Sequence, residues 1–215
     1  KIAYYSEEKW MTEGQKNALK LFHAAAERIP GYKDFLKKNN IDPNLIKSYK
    51  DFCKVPLTDK SNYIDRYKFN DLLWSDKHDI PYIINSSSGT TGKPYYWLTA
   101  ESEYFQGELF HELIFDNIMN IGNKKTLIIV NFGMGTWIAG MFTLLSTYLY
   151  ATKLNKAISI ITPGFNKEET VRILLQLSEN FEQIVFAGYP TFVKDVLTSW
   201  AQQQTYGGLV KFQFA

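Results

Sequence analysis

Ten residues, Asn85 to Pro94, have the composition of a loop that binds phosphate. The segment reads Asn-Ser-Ser-Ser-Gly-Thr-Thr-Gly-Lys-Pro and lies between two apolar runs. Glycines let the backbone turn tightly and direct successive N–H groups at one point. Serine and threonine hydroxyls add hydrogen-bond donors, and lysine adds a mobile positive charge. Such a loop suits a polyphosphate, whose oxygens need many donors and positive charge.

The same composition has a plainer interpretation, because serine, threonine and glycine also dominate turns and flexible linkers. The segment is not a Walker A loop, which places four residues between its glycines and Ser or Thr after its lysine. Here two residues separate Gly89 from Gly92, and a proline follows Lys93. The chemistry of a phosphate site therefore remains, but not that motif.

The residues before the loop show helical rather than strand-like spacing. The pattern predicts helices over 7–28 and 33–39, a short helix capped by Ser48, and a further helix over 59–67 capped by Thr58. Pro30-Gly31 is expected to end the first helix. Residues 1–78 are therefore expected to form a helical segment.

From residue 79 onward, strands alternate with helices. The pattern predicts strands over 81–84, 95–98, 126–130, 157–161, 183–187 and 209–214, with helices over 101–121, 136–150, 166–180 and 191–204. The first two strands would form a hairpin around the loop. Thr99 and Asn166 are the expected caps of two of the helices. The alternation implies an α/β fold with a mainly parallel sheet over 79–215. The polyphosphate chemistry of the loop would make this region a nucleotide-binding subdomain.

Composition narrows the class of protein. The 215 residues include 24 basic and 22 acidic side chains, a formal net charge of +2 that gives no reason to expect a nucleic-acid partner. A single cysteine, Cys53, excludes an internal disulfide framework and fits a reducing compartment; we expect its side chain to be buried or half-buried. The first ten residues lack the apolar core of a signal peptide, which favours a cytoplasmic protein.

One uncharged stretch, residues 126–152, is long enough to cross a bilayer. It divides, however, into a β-rich run, a polar glycine-containing turn and about fifteen residues of helix, as a buried strand and helix would. A membrane-associated protein is thus the less favoured alternative.

The segment Ser87–Pro94 resembles the phosphate-binding signature of the adenylate-forming enzymes, the acyl-CoA synthetase superfamily. Two upstream elements are similar to the phenylacetate-CoA ligase branch: Ile29-Pro30-Gly31-Tyr32, and Asp51 to Lys60 with Pro56 between them. The resemblance covers about residues 20 to 215. Tyr95 departs from it, because many members have a small hydroxyl residue there.

The resemblance implies an ATP-dependent carboxylate–CoA ligase that activates an aryl or acyl acid as its acyl-adenylate. It implies ATP, Mg²⁺ and coenzyme A as cofactors, and a nucleotide and a small carboxylic acid as ligands. Its phosphate-binding residues would be Ser87, Ser88, Gly89, Thr90, Thr91, Gly92 and Lys93. The family's catalytic lysine and magnesium ligand are expected beyond Ala215, so the chain is expected to be the amino-terminal part of an incomplete domain, inactive by itself.

An acyl pocket is expected where two strands end. Phe132 and Gly133 follow one strand and Tyr189 and Pro190 follow a later one, and α/β folds place ligands at such ends. Phe132 and Tyr189 could equally pack the core, and Trp137 is expected in the core. The three histidines are scattered without metal-ligand spacing, so no metal site is predicted.

Two alternatives remain open at this stage. The chain could be a non-catalytic module that binds a nucleotide or acyl group, or an adenylating enzyme with another acceptor, like acyl-protein synthetases. A homodimer is compatible with either.

Overall fold

A computed structural model describes residues 5–74, 81–87, 94–121, 124–153, 155 and 157–203. The chain divides into two compact units, Lys1–Ile80 and Pro81–Ala215.

The first unit is helical. It contains α1 (Glu7–Arg28), α2 (Pro30–Lys38) and α3 (Tyr49–Phe52), with 3₁₀ turns at Pro43–Leu45, Ile64–Arg66 and Phe69–Leu72. The predicted end of α1 is confirmed, but Pro30 also begins α2, which starts three residues before its predicted position. Proline suits that first helical position because its missing N–H would have no partner there.

Ser48 caps α3 as predicted, through a reciprocal pair of hydrogen bonds. Its hydroxyl accepts from the Asp51 backbone N–H at 3.2 Å, and the Asp51 carboxylate accepts from the Ser48 N–H at 3.1 Å. The Ser48 hydroxyl, then the Lys54 ammonium, lower the pKa of Asp51 to about 2. Cys53 lies just after this helix and is exposed, so its predicted burial is wrong.

The predicted helix over 59–67 is wrong. Asp59 and Asn62 instead bond reciprocally: the Asp59 carboxylate accepts from the Asn62 N–H at 2.7 Å, and the Asn62 side-chain oxygen accepts from the Asp59 N–H at 2.8 Å. Such local bonds satisfy the backbone outside a helix and compete with helix formation. Turns therefore lead to the 3₁₀ segment Ile64–Arg66, and Thr58 caps no helix.

The second unit alternates strands and helices, so the α/β class is confirmed. Its elements are β1 (Tyr82–Ser86), β2 (Tyr96–Ala100), α4 (Glu101–Ile114), β3 (Thr126–Asn131), α5 (Ile138–Lys153), β4 (Ile158–Ile161), α6 (Lys167–Leu177), β5 (Gln183–Gly188) and α7 (Pro190–Gln203). A π-helical turn, Phe115–Met119, extends α4. Ala100, not Thr99, is the N-cap of α4, whereas Asn166 caps α6 as predicted. The predicted strand over 209–214 lies outside the described residues.

The three later strands form a parallel sheet in the order β4-β3-β5. The chain moves from β3 to one neighbour, then crosses back over β3 to the other. Because both crossovers are expected to be right-handed, the reversal places α5 and α6 on opposite faces of the sheet. The carboxyl ends of β3 and β4 therefore lie at a point where successive turns lead to opposite faces, which is where open α/β sheets bind ligands.

Alternate side chains of the central strand, β3, pack into two separate hydrophobic cores, one on each face of the sheet. Leu127 and Ile129 pack with side chains of α6 and α7, whereas Ile128 and Val130 pack with Phe115 and Tyr150. All six residues of β3 are buried, and the apolar run at its centre, Leu127 to Val130, is typical of a strand covered on both faces. Within the described ranges, no helix is long and apolar enough to cross a membrane.

A buried carboxylate links α4 to α5. Glu108 is 4% exposed, and its carboxylate accepts from the Lys153 ammonium at 3.0 Å. The same bond raises the pKa of Lys153. Because the Glu108 carboxylate is buried away from water, removing the Lys153 ammonium would leave a buried charge without a counter-charge and would destabilise the fold.

Candidate functional site: an aromatic cleft beside a phosphate-loop hairpin

The candidate phosphate loop stands at the end of an antiparallel hairpin. β1 pairs with β2 from Tyr82 opposite Ala100 to Ser86 opposite Tyr96. Beyond these pairs, the Ser87 N–H donates to the Tyr95 carbonyl at 2.9 Å and the Tyr95 N–H donates to the Ser87 hydroxyl oxygen at 3.0 Å. The hairpin prediction is thus confirmed, with the strands shifted one or two residues toward the carboxyl terminus. The loop proper, residues 88–93, lies outside the described residues.

The hairpin is joined to the turn that follows β3. The Ser86 N–H donates to the Thr136 carbonyl at 2.8 Å, and the Ser86 hydroxyl donates to the Thr136 hydroxyl at 3.0 Å. Ser86 also forms a parallel bridge with Trp137. Alternate N–H groups of a strand point to opposite sides, so Ser86 can reach outward while Ser87 bonds to β2.

An open cleft of about 580 Å³ lies at the carboxyl ends of β3 and β4. Two turns line it, one before α5 and one before α6: Gly133, Met134, Trp137, Thr162, Pro163, Gly164, Phe165, Asn166 and Glu168. Its volume falls in the range of small-molecule sites, roughly 300–1,000 Å³. The cleft therefore has the size and the position expected for a binding site.

Aromatic rings dominate this end of the sheet. Phe165 stacks on Tyr189 at 5.7 Å between ring centroids, and Tyr189 meets Phe132 edge-on at 5.6 Å. Trp137 meets Phe165 edge-on at 6.2 Å. Trp137 is 44% exposed and lines the cleft, so its predicted place in the core is wrong. A side chain at Gly133 would overlap the Trp137 ring, so this glycine is what lets the ring lie flat against the turn.

Asn131, the last residue of β3, holds the surrounding turns together. It is fully buried, and its amide nitrogen donates to the Gly164 carbonyl and to the Thr170 hydroxyl, both at 2.9 Å. From the other side β5 approaches so closely that a Cβ added at Gly188 would lie 2.8 Å from the Asn131 Cβ. One amide therefore fixes the end of β3 against the turn after β4.

The described side chains fit an apolar ligand better than a metal ion. Among the nine lining residues, Glu168 alone carries a charge. In the described ranges no group of three His, Cys, Asp or Glu side chains could hold a metal. For a phosphate, the described part offers Ser87: its oxygen accepts from Tyr95, which leaves its O–H free to donate. Further donors to a polyphosphate would come from residues 88–93.

Known proteins similar to this chain are acid–CoA ligases. The chain is 27% identical over 118 residues to a phenylacetate-coenzyme A ligase from Thermus thermophilus, and 33% identical over 70 residues to one from Aromatoleum evansii. A crystal structure of 2-hydroxyisobutyryl-CoA ligase with 2-HIB-AMP and CoA superimposes over 90% of the chain, with a TM-score of 0.70 at 18% identity. An open conformation of that ligase gives a TM-score of 0.68 over 87% of the chain at 16% identity.

The resemblance to adenylate-forming CoA ligases of the phenylacetate-CoA ligase type is confirmed. At these identities the solved structures show the fold alone. The two curated matches cover 54% and 33% of this chain but 25% and 16% of the relatives, and the solved ligase is covered over 40% of its length. The chain thus spans well under two thirds of these adenylate-forming relatives. No protein-family model matches it.

The structure brings together some of the residues proposed from sequence. Phe132 and Tyr189 are in ring contact, Gly133 lines the cleft, and Pro190 begins α7 beside Tyr189. Ser87 closes the base of the loop. Sequence reasoning missed Phe165 and Thr136. An aromatic residue directly after Pro163-Gly164 and before a helix cap was the available signal for Phe165, since turns after parallel strands carry ligand contacts.

Proposed function

We propose that this chain supplies the ATP phosphate loop and part of the acid-binding cleft of an adenylate-forming acid–CoA ligase. In the proposed reaction, a carboxylate oxygen attacks the α-phosphorus of ATP, the bond to the β-phosphate breaks, and pyrophosphate leaves. The thiol of coenzyme A then attacks the acyl carbonyl and releases AMP. Mg²⁺ would neutralise charge on the leaving pyrophosphate.

The junction between the hairpin and the cleft carries this proposal. Adenylation requires a carboxylate to be held in line with the α-phosphorus, which is a demand on positioning. Ser86 lies two residues before residue 88, where the loop proper begins. It forms hydrogen bonds with Thr136, and Thr136 directly precedes the cleft residue Trp137. A nucleotide on the loop and an acid in the cleft would thus lie on adjoining segments of the second unit.

The proposed roles follow the sequence signature. Residues Ser87 to Lys93 would surround the β- and γ-phosphates, with Lys93 adding charge to the donors of the loop. Phe132, Gly133, Tyr189 and Pro190 would form the acid site, together with Trp137 and Phe165. The corresponding subdomain is the one predicted over 79–215.

The two rings in the cleft favour an acid with an aromatic or compact apolar body, while Thr162, Asn166 and Glu168 add polar groups to the same lining. Trp137 and Phe165 present ring surface to the opening, and Met134 and Pro163 add apolar area. Such surfaces gain free energy by covering an apolar group, at about 25 cal/mol per Å² removed from water. Polar recognition of the carboxylate itself would come from the nucleotide side.

Calorimetric titration of Mg-ATP into the chain tests the proposal. We expect binding that Lys93→Ala weakens at least about ten-fold, since a charge-assisted contact to phosphate contributes about 1.5–3 kcal/mol. Lys194→Ala is the matched control, because Lys194 is an exposed lysine on α7 in the same unit. Equal affinities in the two variants would contradict the assignment of the loop.

A second titration, with phenylacetate as the probe acid, tests the cleft. We expect Trp137→Ala to lower the affinity for phenylacetate without changing the affinity for Mg-ATP measured in the absence of the acid. Trp97→Ala is the control for loss of a tryptophan, since Trp97 belongs to β2 and does not line the cleft. Unchanged affinity for the acid in Trp137→Ala would remove the cleft from the proposal and leave the loop standing.

A further inference from the structure

A two-residue segment, Thr136–Trp137, contacts the end of β1 through Thr136 and lines the proposed acid site through Trp137. On one side Thr136 accepts the Ser86 N–H and the Ser86 hydroxyl, and Trp137 bridges to Ser86. On the other side the Trp137 ring lines the cleft and covers Gly133. Whatever fixes this segment from the cleft therefore also fixes the base of the loop.

We propose that Ser86 and Thr136 are positioning residues that make the nucleotide and the acid bind cooperatively. The inference rests on the function proposed above. An acid packed against Trp137 restricts the segment before α5, and through it Ser86, so a nucleotide then meets a loop whose base is already ordered. Thermodynamic linkage makes the effect reciprocal, so the bound nucleotide must raise the affinity for the acid by the same factor as the bound acid raises the affinity for the nucleotide.

The burial of Ser86 is what gives the hydroxyl pair this role. Ser86 is 5% exposed with Thr136 in place, and its hydroxyl donates to the Thr136 hydroxyl. Displacing Thr136 would break this hydrogen bond, and a donor that stays buried without a partner is disfavoured. The hydroxyl pair thus restricts the relative position of the hairpin and the turn further than the backbone bond from Ser86 to Thr136 does by itself. Thr136 itself is exposed, so its replacement does not disturb a packed core.

Substitutions can remove this bond while keeping its surroundings. Thr136→Val keeps the shape of the side chain and the backbone carbonyl but loses the hydroxyl. Ser86→Ala removes the same bond from the other side, and Thr136→Ser restores a hydroxyl and serves as the matched control. Amide exchange of β3 and β5 in each variant checks that the sheet is intact.

The measurement is the affinity for Mg²⁺ with α,β-methylene ATP, alone and with saturating phenylacetate. The methylene group cannot be cleaved at the α–β position, so the titration stays at equilibrium. In the parent chain and in Thr136→Ser we expect the acid to tighten the nucleotide at least about five-fold, the lower end of common coupling factors. In Thr136→Val, Ser86→Ala and the double variant we expect less than about two-fold tightening, with the nucleotide affinity alone little changed.

Each result has a defined meaning. Equal cooperativity in the parent and in both hydroxyl-deleted variants would overturn the positioning role and leave the proposed function intact. Binding of both ligands by the parent without cooperativity would also overturn it. Failure of the parent to bind either ligand would overturn the proposed function and this inference with it. If Thr136→Val does not fold, Ser86→Ala decides.

Discussion

Two glycine-to-alanine substitutions in helices should change stability in opposite directions. Gly14 lies inside α1, and a Cβ added there meets nothing within 4 Å. Gly140 lies near the start of α5, and a Cβ there would overlap the Gly133 carbonyl oxygen and lie 2.6 Å from the Met134 sulfur. The two sites share a helical backbone, so the comparison isolates the close approach of α5 to the turn that lines the cleft.

The magnitudes follow from two contributions. Replacing glycine by alanine inside a helix stabilises by about 0.5–1 kcal/mol, chiefly through the unfolded chain. At Gly14 nothing opposes this gain, so we expect the free energy of unfolding of the first unit to rise by about 0.5–1 kcal/mol. At Gly140 overpacking costs typically about 1–3 kcal/mol, and here a backbone atom has to move. We expect a net loss of about 1–2 kcal/mol in the second unit.

Urea dependence of amide exchange, resolved by peptide, measures the two units separately in one experiment. Agreement requires slower exchange in α1 for Gly14→Ala and faster exchange in α5 and β3 for Gly140→Ala. A Gly140→Ala variant as stable as the parent would refute the reasoning, because the turn before α5 would then yield at no cost. In that case Gly133 and Trp137 would not be held rigidly against α5.

Three further outcomes are expected from buried polar groups and from charge. Asn131→Ala should lower the free energy of unfolding of the second unit by about 2–3 kcal/mol, because the buried Gly164 carbonyl loses its donor. The control Asn180→Ala, at an exposed position, should change it by less than about 0.5 kcal/mol in the same urea assay. Lys153→Met should destabilise α4 and α5, and adding Glu108→Gln should recover part of the loss, since the buried charge is then gone; a double variant no better than the single would contradict this. The pKa of Asp51 is lowered to about 2 when folded, so its contribution is complete above the unfolded value near 4 and is lost as pH falls from there to about 2. Asp51→Asn should flatten the pH dependence of exchange in the first unit over that range.

Periodicity predicted the regular elements of the second unit well because its sequence is locally consistent. The strands β3, β4 and β5 match their predicted ranges to within one residue. Each is a mainly apolar run bounded by turn residues, with Ser159 as the one polar residue inside β4, and that pattern leaves little choice of structure. The Asn166 cap is equally local, because its side chain accepts from the Glu169 N–H three residues ahead at 3.0 Å.

Competing local bonds and tertiary contacts explain what the sequence did not predict. The region 59–67 has helical composition, but the Asp59–Asn62 pair satisfies its backbone in another way. Thr99 resembled a cap, yet the Glu103 carboxylate accepts from the Ala100 N–H at 2.9 Å, so the N-cap is Ala100 while the helix begins at Glu101 as predicted. Trp137 was expected in the core because its side chain is large and hydrophobic. Hydrophobicity alone, however, does not determine on which side of a turn a side chain lies. The Ser86–Thr136 bond joins residues fifty positions apart, and no local pattern contains it.

In the cleft, the residues that support the structure differ from the residues that a ligand would contact. Its floor is set by the strand ladder and by the fully buried Asn131, whereas Trp137 and Phe165 are 44% and 45% exposed and contribute little to the cores beneath. A change at the exposed Glu168 can therefore reshape the opening at a cost within about 0.5 kcal/mol of folding free energy, whereas a change at either ring also loses ring contacts of about 0.5–1.5 kcal/mol each. In evolutionary terms, such a lineage can explore new ligands by a few substitutions on a constant scaffold. A combinatorial library at these three positions should consequently retain most members as folded proteins, and differ among them in ligand preference.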